Sequence, residues 1–345
     1  MKISYKKYSL ELKHQFTIAY SSRKTTQIVL VKIEHNGFIG YGEASLPPYL
    51  QETQNSVIDF LREVGKKKID DISNLLKIIN EIDDIAPNNT AAKAAIDIAL
   101  HDLTGKINHQ PCHKYLEIPK GILPYTSFTI GIDEPEIMKQ KIREAEQFKI
   151  LKVKLGTGQD EEIIKLIREE TDKPLYVDVN QGWKDVQYAI HMSQWLHQQN
   201  VLLIEQPFNK NDLENSARLT GISPIPIIAD ESMQRLSDIE RIKNSFTGLN
   251  IKLMKCTGMY EAGRIIRLAR QHGLKIMLGC MTETSCAISA AVQFASLVDY
   301  ADLDGNLLIT NDPFEGRTTE GGILQISEKD GLGIELKKEI AFSEF

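Results

Sequence analysis

Hydrophobic and polar positions along this 345-residue chain change their period near residue 122, which divides it into two textures. Gln27 to Glu34 is dense in Ile, Val and Leu, and Phe38 to Glu43 answers it across His35-Asn36-Gly37. Asn-Gly accepts the positive φ angles of a tight turn, so the two segments read as a β-hairpin. Residues 51 to 116 have helical spacing. The clearest stretch, Thr90 to Lys106, carries Ala91, Ala94, Ala95, Ile98, Ala99 and Leu103 at that spacing, with Asn89 or Thr90 as its cap. Its many small residues predict a close contact with a neighbouring element. The first third is therefore an α+β unit, expected over residues 1–122.

Beyond it, short β-branched segments alternate with amphipathic helices, as repeated βα units require. The predicted strands are Tyr125 to Ile130, Ile150 to Leu155, Leu175 to Val179, Val201 to Ile204, Ile225 to Ala229, Gly248 to Met254, Lys275 to Gly279 and Tyr300 to Leu303. Helices between them include Pro135 to Phe148, opened by Asp133 and Glu136 at capping-box spacing, and Ala262 to His272, closed by Gly273. A period of roughly 25 residues suits a barrel of βα units, though an open doubly wound sheet needs the same alternation. The repeat is expected over residues 123–321, with a tail, 322–345, returning as short strands to the first unit.

Composition narrows the function classes. With 42% apolar residues the chain can bury a full core, which excludes disorder and a disulfide-stapled miniprotein. Acidic residues outnumber basic ones, 47 against 41, and no basic run offers a face for phosphates, so nucleic acid is not expected as a partner. The most apolar stretch, Cys286 to Val298, is shorter than the roughly 20 residues that span a bilayer and is broken by Ser289, Gln293 and Ser296. Met1 to Lys7 leads into alternating residues rather than a signal-peptide core, and Cys112, Cys256, Cys280 and Cys286 form no C-x-x-C pair. These features predict a cytoplasmic protein with reduced thiols, no membrane and a small-molecule substrate.

The chemistry lies where charges interrupt the strands. Lys152 and Lys154 flank Val153, Asp178 and Asn180 end the third strand, Glu205 the fourth and Asp230 the fifth. Lys252 lies in the sixth strand, and Asp302 and Asp304 end the eighth. One ionisable group per period, always at the same strand end, is costly unless the groups meet, and only a closed barrel brings them to a single mouth. Asp178, Glu205 and Asp230 come from consecutive strands and would repel one another uncompensated. Each alone could be a helix N-cap; three in register favour a hard cation such as Mg²⁺. Lys154 and Lys252 lie on opposite sides of that set. A lysine beside a cation and a second lysine is expected to lose proton affinity and so to serve as a base near neutral pH. Pairing with the carboxylates would explain one inward lysine; Lys152, Lys154, Lys252 and Lys255 together exceed it, the alternative for Lys255 being the surface of the following loop.

Val-Lys152-Val-Lys154, Val-Asp178-Val-Asn180-Gln181-Gly182-Trp183, Ile-Glu205-Gln206-Pro207, Ala-Asp230-Glu231-Ser232 and Asn250-Ile-Lys252-Leu-Met-Lys255 resemble the enolase superfamily, in its muconate-lactonising subgroup. The likeness runs through nearly the whole chain, including Ile98-Ala99-Leu100-His101-Asp102-Leu103. It implies a modified TIM barrel, (β/α)7β, under an α+β N-terminal capping domain. It also implies one Mg²⁺ per subunit on Asp178, Glu205 and Asp230, supported by Asn180 and Glu231, and proton transfer beside a carboxylate through Lys154 and Lys252. Removing such a proton crowds negative charge onto one oxygen pair. A divalent cation and Lys152 would offset that charge. Bases on two faces predict inversion of a stereocentre, a 1,1-proton transfer through an enediolate.

Four reactions of the subgroup compete: dipeptide epimerisation, muconate cycloisomerisation, o-succinylbenzoate synthesis and N-acylamino-acid racemisation. Asp302-Leu303-Asp304 resembles the Asp-x-Asp of its dipeptide epimerases, and two carboxylates there would attract a substrate ammonium and repel phosphate. The plainer alternative makes them turn residues before Gly305-Asn306. Arg23 lies near the place of the arginine that L-Ala-D/L-Glu epimerases of murein peptide recycling use, but is offset by about two residues beside Lys24. With Tyr20, the apolar loop Leu46 to Leu50 including Tyr49, and Cys280 and Thr282 as further lining, the expectation is an L-Ala-D/L-amino-acid epimerase with hydrophobic or broad preference. Gly279-Cys280-Met281 lacks the histidine base of the acid-sugar dehydratases, and Gly156-Thr157-Gly158 is too short for a nucleotide fingerprint. A barrel that binds Mg²⁺ and peptides without turnover is the non-enzyme alternative. A homo-oligomer is expected.

Overall fold

The computed structural model describes residues 1–18, 21–67, 69, 72, 74–316 and 318–345. Strands β1 (Lys2–Ile18), β2 (Ser21–His35) and β3 (Phe38–Ser45) form an antiparallel sheet in that order. His35 pairs with Phe38 across Asn36 and Gly37, whose φ angles of 48° and 82° are those of the tight turn expected there. Helices α1 (Gln54–Lys66), α2 (Leu75–Asp83), α3 (Thr90–Ile107) and α4 (Cys112–Tyr115) follow.

The small residues of α3 bring it against β3 at backbone distance. A Cβ on Gly42 would lie 1.9 Å from the Ala95 carbonyl oxygen, and one on Gly40 2.1 Å from that of Ala99. Gly42→Ala is therefore expected to destabilise by more than the ~1–3 kcal/mol of ordinary overpacking, because backbone rather than side chain must move. A urea midpoint equal to wild type would show that α3 shifts without cost. The cap of α3 differs from expectation. Asn89 makes no side-chain cap bond, and the carboxylate of Glu52 accepts from the Ala91 and Ala92 N–H groups at 2.8 and 3.1 Å instead. A carboxylate serves here better than an amide because it meets the positive end of the helix dipole.

All eight predicted strands of the repeat form, six of them shorter than the apolar runs, Lys275–Gly279 as expected and Val201–Glu205 one residue longer. They are β4 (Ser127–Ile130), β5 (Ile150–Lys154), β6 (Leu175–Asp178), β7 (Val201–Glu205), β8 (Ile227–Ala229), β9 (Gly248–Ile251), β10 (Lys275–Gly279) and β11 (Tyr300–Asp302). They make one parallel sheet in chain order, and a parallel bridge between Thr126 and Ala301 brings its two edges together. Seven helices fill the crossovers: α5 (Pro135–Glu144), α6 (Asp160–Glu170), α7 (Val186–Gln198), α8 (Leu213–Thr220), α9 (Ile239–Ile242), α10 (Met259–Gln271) and α11 (Ser285–Val292). This is a (β/α)7β barrel. Helix α5 stops at Glu144, short of Phe148, and no capping box opens it. Asp133 accepts from the Glu134 N–H and from Lys141 Nζ, which takes its carboxylate away from the helix start.

The short strands of the tail pair with the segment after β11 rather than with the first unit, which the tail meets through single contacts. Glu335–Leu336 pairs with Phe314–Glu315, Ser343 bridges to Tyr5, and the Leu332 N–H reaches the buried Asp102 of α3. Leu12 of β1 bridges Ile309, so the β1–β2 ribbon is tied to the segment beyond β11, at the mouth. Among the described residues no helix is long and apolar enough to cross a membrane, and all four cysteines are free.

Candidate active site

Parallel register and the two-residue period of a strand decide what meets at the mouth. Lys154, Asp178 and Glu205 are successive partners across β5, β6 and β7. One inward layer below, Tyr176, Leu203, Ile228 and Met277 pack together as an apolar floor. The carboxylates of Asp178, Glu205 and Asp230 stand on this floor, completely or almost completely buried.

Ammonium groups hold them there. Lys152 Nζ lies 2.6 Å from Glu205, 2.7 Å from Asp302 and 3.1 Å from Asp178. Lys154 Nζ donates to Asp178 at 2.6 Å, and Lys252 Nζ to Asp230 at 2.7 Å while standing 4.0 Å from Glu205. Lys255 is not a surface residue: it is buried, and its Nζ donates to the Asp230 carboxylate at 2.5 Å and to the Asn250 carbonyl at 3.0 Å. Burial would lower the Lys252 ammonium, but Asp230, Tyr49 and Glu205 outweigh it and hold its pKa well above the usual value. For Glu205, burial and the nearby Asp178 outweigh Lys152 and raise the carboxyl to about 7.

Among the described residues no three His, Cys or acidic side chains form a ready metal cage, since ammonium groups lie between the carboxylates. The donor set still fits a hard divalent cation. It is all oxygen and carries negative charge from three neighbouring strands. Glu205 is completely buried, and the partners of its two oxygens, Asn250 and Lys152, lie at 2.7 and 2.6 Å.

Above the carboxylates opens a cavity of about 300 Å³. Lys152, Lys154, Lys252, Asn180, Asp230, Glu231, Asp302 and Asp304 line its barrel side. Arg23, Pro47, Pro48, Tyr49, Cys280, Met281, Thr282 and Leu308 line the rest. β2 carries Arg23 to the mouth, where Nη2 donates to Thr282 Oγ1 at 3.2 Å. Tyr49 Oη meets Met281 Sδ at 3.2 Å, and Cys280 Sγ the Asp302 carbonyl at 3.2 Å. Tyr20 lies outside the described residues. Asn180 Nδ2 is 3.4 Å from Glu231, beside the carboxylate set.

Asp302 and Asp304 do more than turn the chain. Asp302 accepts from Ser127 Oγ at 2.7 Å as well as from Lys152, so both its oxygens are engaged across the barrel closure. Asp304 accepts from the Thr129 N–H at 2.7 Å; burial and the neighbouring Asp302 raise its carboxyl to about 7. Both residues line the cavity.

Three contributors escaped the sequence reading. Asn250 donates to Glu205 Oε1 at 2.7 Å. Gln206, at φ 37°, receives the Asp230 and Ser232 N–H groups on its side-chain oxygen and so joins the ends of β7 and β8. Thr129 lines the cavity from β4. Asn250 had a legible signal, a buried amide two residues before Lys252 and on the same strand face; Gln206 and Thr129 had none.

Residues 5–116 match the mandelate racemase / muconate lactonizing enzyme N-terminal domain, and residues 137–340 the enolase C-terminal domain-like family. The L-Ala-D/L-Glu epimerase of Bacteroides thetaiotaomicron is 51% identical over 97% of this chain and 88% of its own length. The L-Ala-D/L-amino acid epimerase of Pedosphaera parvula is 36% identical over 98% of this chain and all of its own. The dipeptide epimerase of Enterococcus faecalis, solved with Mg and the dipeptide L-Leu-L-Tyr, superposes with a TM-score of 0.90 at 34% identity, covering 96% of this chain and 98% of that one.

Proposed function

The chain belongs to the mandelate racemase / muconate lactonizing enzyme family of the enolase superfamily, and from that premise we propose that it is a Mg²⁺-dependent epimerase of L-Ala-D/L-Xaa dipeptides. It inverts Cα of the second residue. The observation that carries this reading is the order of groups along the mouth. Lys154 sits on Asp178 at one end, Lys252 on Asp230 at the other, and Glu205 lies between them. A substrate carbon held above that row meets one amine on each flank. One lysine takes the α-proton and the other returns a proton to the opposite face, which inverts the centre.

Asp178, Glu205 and Asp230 would hold the Mg²⁺, which supplies Lewis-acid polarisation of the substrate carboxylate when bound. Lys152 adds a fixed positive charge on the same side. Asp304, steadied by Thr129 and seconded by Asp302, faces the free ammonium of the first residue, a group that a cycloisomerase or the synthase substrate lacks. Pro47, Pro48, Met281 and Leu308 offer apolar contact to the second side chain, which supports a broad preference at Xaa.

A dipeptide library incubated in D₂O with Mg²⁺ tests this by mass shift and α-proton NMR. Deuterium is expected at the second residue together with inversion; incorporation at the first residue, or at neither, would sink it.

A second reading, preference for glutamate at Xaa, is favoured by Arg23 in the cavity wall. Arg23→Ala is expected to lower kcat/KM for L-Ala-L-Glu about 10- to 100-fold, the worth of a charged hydrogen bond, and to leave L-Ala-L-Leu within about threefold. Equal losses on both substrates would remove Arg23 from specificity. A wild-type kcat/KM for L-Ala-L-Glu far above those for L-Ala-L-Leu and L-Ala-L-Phe would replace the broad reading with the narrow one.

A further inference from the structure

Two carboxylates of the N-terminal unit cross to the barrel and take the first N–H groups of its last two helices. Asp97, on α3, accepts from Met259 N at 2.5 Å and Tyr260 N at 3.3 Å, at the start of α10. Glu43, on β3, accepts from Thr284 N at 3.0 and 3.1 Å, just before α11. Both carboxylates are buried.

The Asp97 contact differs from Glu43 in what it adjoins. Helix α10 has no cap of its own, since the residue before it is Gly258 at φ 116°, which has no side chain to offer. A Cβ on Gly258 would stand 2.3 Å from Asp97 Oδ1, so only glycine admits the carboxylate. The Gly258 N–H donates back to the Leu253 carbonyl at 3.0 Å, which ties the helix start to the residue after Lys252. Between them Thr257 is held at φ 62°, a costly conformation for a β-branched residue, with its hydroxyl 3.3 Å from Glu261 of α10. The segment is thus pinned at one side by Lys255 on Asp230 and at the other by Asp97 of the N-terminal unit.

We propose that Asp97 is a positioning residue for Lys252: by holding the first turn of α10 it fixes the Lys252–Gly258 segment and thereby the direction of the Lys252 amine. The inference rests on the two-lysine reading above. Without the carboxylate, the buried N–H groups of α10 lose their acceptors, and the segment relaxes toward other partners or solvent. A displacement of the order of an ångström at an acid–base group is enough to slow proton transfer strongly.

The test uses α-proton exchange of each dipeptide epimer in D₂O, followed by NMR with Mg²⁺ present. Lys154→Ala and Lys252→Ala first assign one epimer to each lysine; if both variants exchange both epimers, the two-lysine reading fails and Asp97 is not at issue. With the assignment made, Asp97→Asn and the stronger Asp97→Ser are expected to lower kcat about 10-fold or more with KM within about twofold. Exchange of the Lys252-facing epimer should fall by the same factor while exchange of the Lys154-facing epimer stays near wild type. Glu43→Gln, which loosens the other latch, should leave that exchange ratio unchanged. An unaltered ratio in both Asp97 variants, an equal shift in Glu43→Gln, or loss of folded protein in both Asp97 variants would each overturn the proposal, since Asp97 would then serve the fold alone.

Discussion

Lys252→Ala is expected to lower epimerisation at least about 10³-fold and Lys154→Ala to do the same, with neither loss recovered at saturating substrate. General acid–base groups contribute roughly 10²–10⁴-fold each, and on the proposed two-lysine mechanism the two act in series: inversion needs one proton removed and another delivered from the opposite flank. The variants should differ in a second measurement. Each keeps one amine, so each should still exchange the α-proton of the single epimer whose Cα–H faces that amine. A variant that interconverts both epimers at the wild-type rate would show that one lysine suffices. Both lysines are buried beside carboxylates, so removing one leaves the charge of Asp178 or Asp230 less compensated; the activity should therefore be read on protein shown to be folded.

Removal of the divalent cation is the second large effect. Exhaustive chelation is expected to lower turnover about 10³-fold or more, with recovery on titration of Mg²⁺, because stabilising developing charge on the substrate carboxylate is worth several kcal/mol. Glu205→Gln should lose activity to a similar degree and should also fail to bind Mn²⁺ tightly in a calorimetric or paramagnetic titration, a readout independent of turnover. Glu205 is the informative position, as it is the middle carboxylate and completely buried. Undiminished turnover after chelation, or wild-type Mn²⁺ affinity in Glu205→Gln, would contradict the assignment.

The barrel was legible because its signals are local. A parallel strand buried on both faces reads as an apolar run, and a charge closing such a run, as at Asp178, Glu205 or Asp230, stands out against it. The Asn36-Gly37 turn was legible for the same reason: two adjacent residues carry the whole instruction. What failed depended on partners far along the chain. Asn89 looked like a cap, yet Glu52 caps α3 from 39 residues away. Asp133 looked like a cap and serves Lys141 instead. Lys255, four residues before Met259, gave no sign that it would be buried on Asp230.

Arg23 shows the limit most clearly. Its position in the sequence suggests an offset of about two residues from the arginine of L-Ala-D/L-Glu epimerases but does not say what it meets; the long β1–β2 ribbon, bridged to Ile309, sets its guanidinium in the cavity wall against Thr282. By itself, then, the order of residues determined the strands, their period and the inward-facing ionisable ends, because side-chain alternation and hydrophobic patterning act over a few residues. Which amine faces which carboxylate, how the N-terminal unit grips α10, and what the mouth offers to the second side chain were decided only in three dimensions. Each of these depends on charges and N–H groups from distant segments finding one another in a place without water.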